Sequence, residues 1–103
     1  MHKPYKVIYY PIAMDDVSNI LDYISKDNPP VAIELIDKID NSIQSLSEFP
    51  YRGIIPRDFH LKSKKYRMLI IDSFIVFYIV NESLTVIEIM RVLSSKQNYS
   101  ALL

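Results

Sequence analysis

YRMLIIDSFIVFYIVNESLTVIEIMRVL, residues 66–93, decides the fold. It holds three runs dense in Ile, Val, Tyr and Phe: Tyr66 to Ile71, Phe74 to Val80 and Leu84 to Leu93. Asp72-Ser73 separates the first two and Asn81-Glu82-Ser83 the last two. β-Branched and aromatic side chains suit the pleated surface of a sheet. Connections of two and three residues join antiparallel neighbours, so the stretch predicts a three-stranded meander. The longest apolar stretch, Met68 to Val80, is broken by Asp72-Ser73 and is too short to span a bilayer.

A sheet has to bury a face, and the residues upstream supply the cover. Tyr5-Lys6-Val7-Ile8-Tyr9-Tyr10 reads as a first strand, stopped by Pro11, which suits a helix start. Asp15 and Asp16 fall near that helix N-terminus, where the dipole favours acids. Val17, Ile20, Leu21 and Ile24 follow at the spacing of an amphipathic helix. Asn28-Pro29-Pro30 breaks the pattern, and Pro30 suits the first turn of a second helix. In that helix Ala32, Leu35, Ile36, Ile39, Ile43 and Leu46 repeat every three or four residues, and it ends near Phe49-Pro50. So short a connection predicts an antiparallel helical hairpin.

Tyr51 to Leu61 has no periodicity, contains the single glycine, Gly53, and reads as a loop. Ser94 to Leu103 reads as a short C-terminal turn or helix. The predicted order is β-α-α-β-β-β. It defines one α+β domain over residues 1–103, with an N-terminal strand and a helical hairpin packed on an antiparallel sheet.

Half of the 103 residues are hydrophobic, enough for a core without disulfides or a structural metal. The absence of cysteine excludes a disulfide framework and thiolate zinc sites, and it suits a reducing cytoplasm. Met1 to Tyr5 runs straight into the first strand, without the layout of a signal peptide. Net charge is zero but unevenly spread. Residues 1–50 hold four basic groups against eight acidic ones, and residues 51–103 hold eight basic against four acidic. Such asymmetry predicts an acidic flank and a basic face that meets something anionic.

The order of elements and a series of local patterns resemble the RelE/ParE superfamily of toxins from bacterial type II toxin–antitoxin systems. Pro11-Ile12-Ala13-Met14-Asp15-Asp16 followed by Ile20-Leu21-Asp22-Tyr23-Ile24 is similar to the family's entry into the first helix. Asn28-Pro29 matches its helix break, and Leu46-Ser47-Glu48-Phe49-Pro50 its exit from the second helix. Tyr66-Arg67 with Leu69, Phe74-Ile75-Val76-Phe77-Tyr78, and Val86 to Leu93 resemble its three C-terminal strands. After the last strand many members carry a small basic cluster. Here Ser94-Ser95-Lys96-Gln97-Asn98-Tyr99 keeps one lysine and a tyrosine.

The resemblance implies one of three functions. The first expectation is a ribosome-dependent mRNA endoribonuclease that stops translation. The alternatives are a ParE-type DNA gyrase inhibitor and a decayed toxin that only binds its antitoxin. All three imply a small cognate antitoxin as partner, a cytoplasmic location, and neither a metal, a cofactor nor a membrane. The first adds the ribosome and mRNA as partners. RNA cleavage by 2′-hydroxyl attack needs a proton acceptor, a proton donor and cations for the charged phosphorane. In this family arginine, lysine and tyrosine often fill those roles, and the matching positions are Arg67, Arg91, Lys96 and Tyr99. Arg57, Lys62, Lys64 and Lys65 would bind phosphate. Each also has an ordinary reading. In it Arg67 faces an acid such as Glu88, Arg91 serves a structural ion pair, the lysines form a solvated edge, and Tyr99 pins the C-terminus to the core. His60 reads as an exposed loop residue.

Overall fold

A computed structural model describes residues 3–103; Met1 and His2 lie outside the described residues. β1 (Lys6–Tyr9) leads into helix α1 (Pro11–Ser25), and α2 (Pro29–Gln44) follows. A 3-10 turn, Ser45–Ser47, ends the hairpin. After a connecting segment come α3 (Phe59–Ser63), β2 (Arg67–Ile71), β3 (Phe74–Asn81), β4 (Val86–Ser94) and α4 (Tyr99–Leu102). The local signals sit where the sequence places them. Pro11 and Pro29 open their helices, and the Asn28 side chain caps α2 by accepting the Val31 N–H at 3.2 Å.

The strand order is β1-β4-β3-β2. β2, β3 and β4 form the antiparallel meander, and β1 adds to its edge parallel to β4, with Lys6 opposite Val86 and Tyr9 opposite Ile89. The crossover between these parallel strands carries the helical hairpin, which therefore lands on one face of the sheet. On that face Val76, Tyr78, Ile87, Ile89 and Val92 pack against Ala13, Ile39 and Ile43. The opposite face is buried as well. There Ile75, Phe77 and Leu93 lie under Leu61 of α3 and beside Tyr99 of α4. Burial on both faces explains why β3, FIVFYIVN, is an apolar run without alternation.

Three details differ from the expectation. The stretch from Tyr51 to Leu61 is not all loop: Ile54 pairs with Met68 and α3 begins at Phe59. A five-residue helix with one buried residue, Leu61, leaves no periodic signal; the Asp58 side chain starts it by accepting the Leu61 N–H at 3.1 Å. β4 begins at Val86 and not at Leu84. Asn81 Oδ1 accepts the Leu84 N–H at 3.1 Å, and Thr85 has φ 57°, a left-handed backbone that a β-branched residue seldom adopts. That conformation turns the Thr85 carbonyl to accept the Lys6 N–H at 3.0 Å, which registers β1 on β4. Finally, a β-bulge interrupts β4. Phe77 lies opposite Arg91 and Tyr78 opposite Ile89, so Met90 is the extra residue. The bulge takes Arg91 out of the row formed by Ile87 and Ile89.

Candidate functional site

The positions expected to carry chemistry fall in separate places. β1 ends opposite Ile89, so β4 has no strand neighbour on that side from Met90 onward. Asp16, on the second turn of α1, fills the gap. Its Oδ2 accepts the Val92 N–H at 2.9 Å, and the carboxylate takes Arg91 bidentately, from Nε at 2.8 Å and a terminal nitrogen at 2.9 Å. The hydrogen bond to Asp16, the largest influence, pushes the Arg91 pKa above its ordinary value against the opposing effect of burial. Arg91 thus takes the structural-ion-pair arrangement. A groove of about 430 Å³ beside it runs between α1 and β4, lined by Asn19, Tyr23, Phe74 and Gln97 among others.

Arg67 stands on β2 at the other end of the sheet order. It does not face Glu88, whose carboxylate accepts from Asn81 at 3.4 Å. Arg67 donates instead to two backbone carbonyls, Gly53 at 2.8 and 3.2 Å and Tyr51 at 3.1 Å, with its guanidinium 5.3 Å from the centre of the Tyr51 ring. Behind it lies a buried tyrosine. Tyr78 is fully buried, and its hydroxyl donates to Pro50 O at 2.9 Å and accepts the Gly53 N–H at 2.8 Å. A Cβ at position 53 would stand 2.6 Å from that hydroxyl and 2.9 Å from Met68 O, so the single glycine is required by close approach. Arg67, Tyr78 and the Ile54–Met68 pair together lock residues 50–54 onto the sheet.

Around Arg67 is a cleft of about 310 Å³ lined by Tyr51, Lys62, Lys65, Tyr66, Val80 and Glu82, with Ile55. It gathers three of the expected cations. The Tyr51 hydroxyl donates to Glu82 at 2.5 Å, and that bond is the main reason its pKa lies far above the ordinary value. The shift keeps the phenol protonated, so its hydrogen bond to Glu82 persists at neutral pH. Burial raises Tyr66 as well, partly offset by Arg91. Tyr51 and Glu82 carry no motif in the sequence; only the fold sets them side by side.

The remaining positions lie elsewhere. Tyr99 leans on Phe77, ring centres 5.2 Å apart, and so pins α4 to the sheet. Arg57 and Tyr99 line a third hollow of about 420 Å³ with Asp58 and Leu61. Lys64 donates to the Leu103 carbonyl at 2.6 Å. Lys96 and His60 are exposed. Among the described residues no group of His, Asp and Glu is arranged to hold a metal, and no helix is long and apolar enough to cross a membrane. Charge is also segregated along the chain. Arg52, Arg57, Lys62, Lys64, Lys65 and Arg67 lie between positions 52 and 67 with a single acid, Asp58, whereas α1 and α2 carry half of the acids.

Comparison with known proteins agrees with this architecture. The solved structures it resembles include a chromosomal ParDE toxin–antitoxin system from P. aeruginosa: TM-score 0.71, 17% identity, 90% of this chain and 98% of that one covered. They also include a RelBE toxin–antitoxin complex from Mycobacterium tuberculosis: TM-score 0.60, 20% identity, coverage 88% and 98%. At such identities the likeness is one of fold. No curated protein sequence matches. The family model for the ParE toxin of the type II toxin–antitoxin system parDE matches residues 7–99, so the chain belongs to the ParE toxin family, within the RelE/ParE superfamily.

Proposed function

We propose that this toxin acts by binding and inhibiting DNA gyrase, and that a small cognate antitoxin holds it in check. The supporting observation is the state of Arg91. Cleavage of RNA needs cations free to meet a developing phosphorane and a poised acid and base. Arg91 is instead neutralised bidentately by Asp16, and Arg67 spends donors on the carbonyls of Tyr51 and Gly53. Tyr99 packs at a tilt on Phe77 and Lys96 is exposed, and neither makes a hydrogen bond to Arg67 or Arg91 that would favour the cleavage reading. Inhibition by binding asks only for a surface. The family membership points the same way, and the two solved structures named above are toxin–antitoxin systems, which supports an antitoxin as partner.

Messenger RNA cleavage is the second reading. It is favoured by the cleft that joins Lys62, Lys65 and Arg67 to Glu82 and Tyr51. Inducible expression in a bacterium separates the two. Gyrase-dependent DNA damage with translation initially intact, and inhibition of supercoiling by the purified toxin, are the expected results. A rapid stop in translation with cuts in ribosome-bound mRNA overturns the gyrase reading.

A further inference from the structure

The segment from Phe49 to Ile55 spends its side chains in an unusual way. Phe49, Tyr51, Ile54 and Ile55 are 65, 49, 55 and 54% exposed, four large apolar groups within seven residues. Segments outside regular elements are commonly mobile and polar. This one is neither. Its backbone is fixed by the Tyr78 hydroxyl, by Arg67 and by two bonds of 2.9 Å between Ile54 and Met68. The Tyr51–Glu82 bond also ties it to the β3–β4 turn, where Leu84 is 71% exposed. A cluster of exposed aromatic and aliphatic groups with arginines alongside is the composition of an interface core, and fixing it before contact removes the entropy cost of ordering it.

We infer that residues 49–55 form a preorganised docking ridge for the toxin's target, a folded protein presenting an apolar socket ringed by carboxylates. The inference rests on the reading that the toxin acts by binding. Charge sets the ring: the hollows beside the ridge hold Arg52, Arg57, Lys62, Lys65 and Arg67 against Glu48, Asp58 and Glu82, and an acidic rim complements that basic excess. Apolarity sets the class of partner. Ile54 and Ile55 offer nothing to a nucleic-acid backbone, and aliphatic side chains do not stack bases as aromatic ones do. The backbone lock means that the partner has to bring the socket, which a folded surface does.

The test is the double variant Phe49→Ser, Ile55→Ser, whose changed side chains are exposed and leave the Tyr78 and Arg67 anchors intact. Soluble yield, circular dichroism and binding to the cognate antitoxin are measured first, then growth arrest on induction and binding to purified DNA gyrase. The expected result is a folded protein that binds the antitoxin as the parent does, no longer arrests growth, and binds gyrase about tenfold or more weakly. Full growth arrest by the variant overturns the ridge, whatever the target. Loss of antitoxin binding also overturns it, by assigning the ridge to the antitoxin. If the parent does not bind gyrase, the gyrase reading fails, and growth arrest by the variant still decides the ridge. Should Lys62→Glu, Lys65→Glu abolish arrest while Phe49→Ser, Ile55→Ser leaves it intact, the target is a polyanion and the ridge is refuted. A variant that fails to fold is replaced by Phe49→Lys alone, judged by the same measurements.

Discussion

Asp16 and Arg91 are 75 positions apart in sequence and share two hydrogen bonds of 2.8 and 2.9 Å, with side chains only 11 and 17% exposed. The pair closes the edge of β4 where β1 runs out. One carboxylate serves both the guanidinium and the Val92 amide, so its removal strands a charge and a backbone donor together.

Asp16→Ala should therefore cost about 3 kcal/mol in urea denaturation, in the range for breaking a largely buried pair. Arg91→Ala should cost less, because Asp16 keeps the Val92 amide. Equal losses, or a larger one for Arg91→Ala, would show that the carboxylate's role at the strand edge is overstated. The arginine's side of the pair gives no useful pH window. The Arg91 pKa is raised, so its contribution is complete below the ordinary arginine value and disappears only in strong alkali.

Gly53 and Tyr78 make a second test. Gly53→Ala drives a methyl group into the Tyr78 hydroxyl and the Met68 carbonyl, at an expected cost of about 1–3 kcal/mol. Tyr78→Phe leaves the Gly53 N–H and the Pro50 carbonyl without their partner, again about 1–3 kcal/mol. Both variants should speed hydrogen exchange at Ile54 and Met68, the two amides of the bridge, more than at the centre of β3. Unchanged exchange at those two amides would mean that the segment is held by something other than Tyr78.

Acid should loosen α3 and α4 first. The Leu61 N–H, and then the Ser100 hydroxyl, hold the Asp58 carboxyl below its ordinary value of 3.8. A depressed carboxylate contributes stability above its unfolded value and loses it as pH falls through the folded one, so the window lies below about pH 3.8. The Leu61 amide resonance should titrate there. In Asp58→Asn, which retains a capping side chain, it should stay flat. An identical titration in the Asn variant would assign the effect to another group.

Periodicity and punctuation determined most of the architecture. Pro11, Asn28-Pro29 and the two short turns mark element ends, while the stripes from Ala32 to Leu46 and the runs from Tyr66 to Leu93 name the core, because local backbone preference and burial act over spans a sequence displays. The RelE/ParE superfamily is legible for the same reason, as an ordered series of short patterns. Tertiary structure alone decided the rest. The parallel addition of β1 to β4, the bulge at Met90, the Asp16–Arg91 clasp and the meeting of Tyr51 with Glu82 all join residues far apart in the chain. Arg67 and Arg91 look equivalent in the sequence, as cations in apolar strands. One meets backbone carbonyls and an aromatic ring, the other a carboxylate, and those partners, fixed only by the packed fold, set what each arginine is free to do.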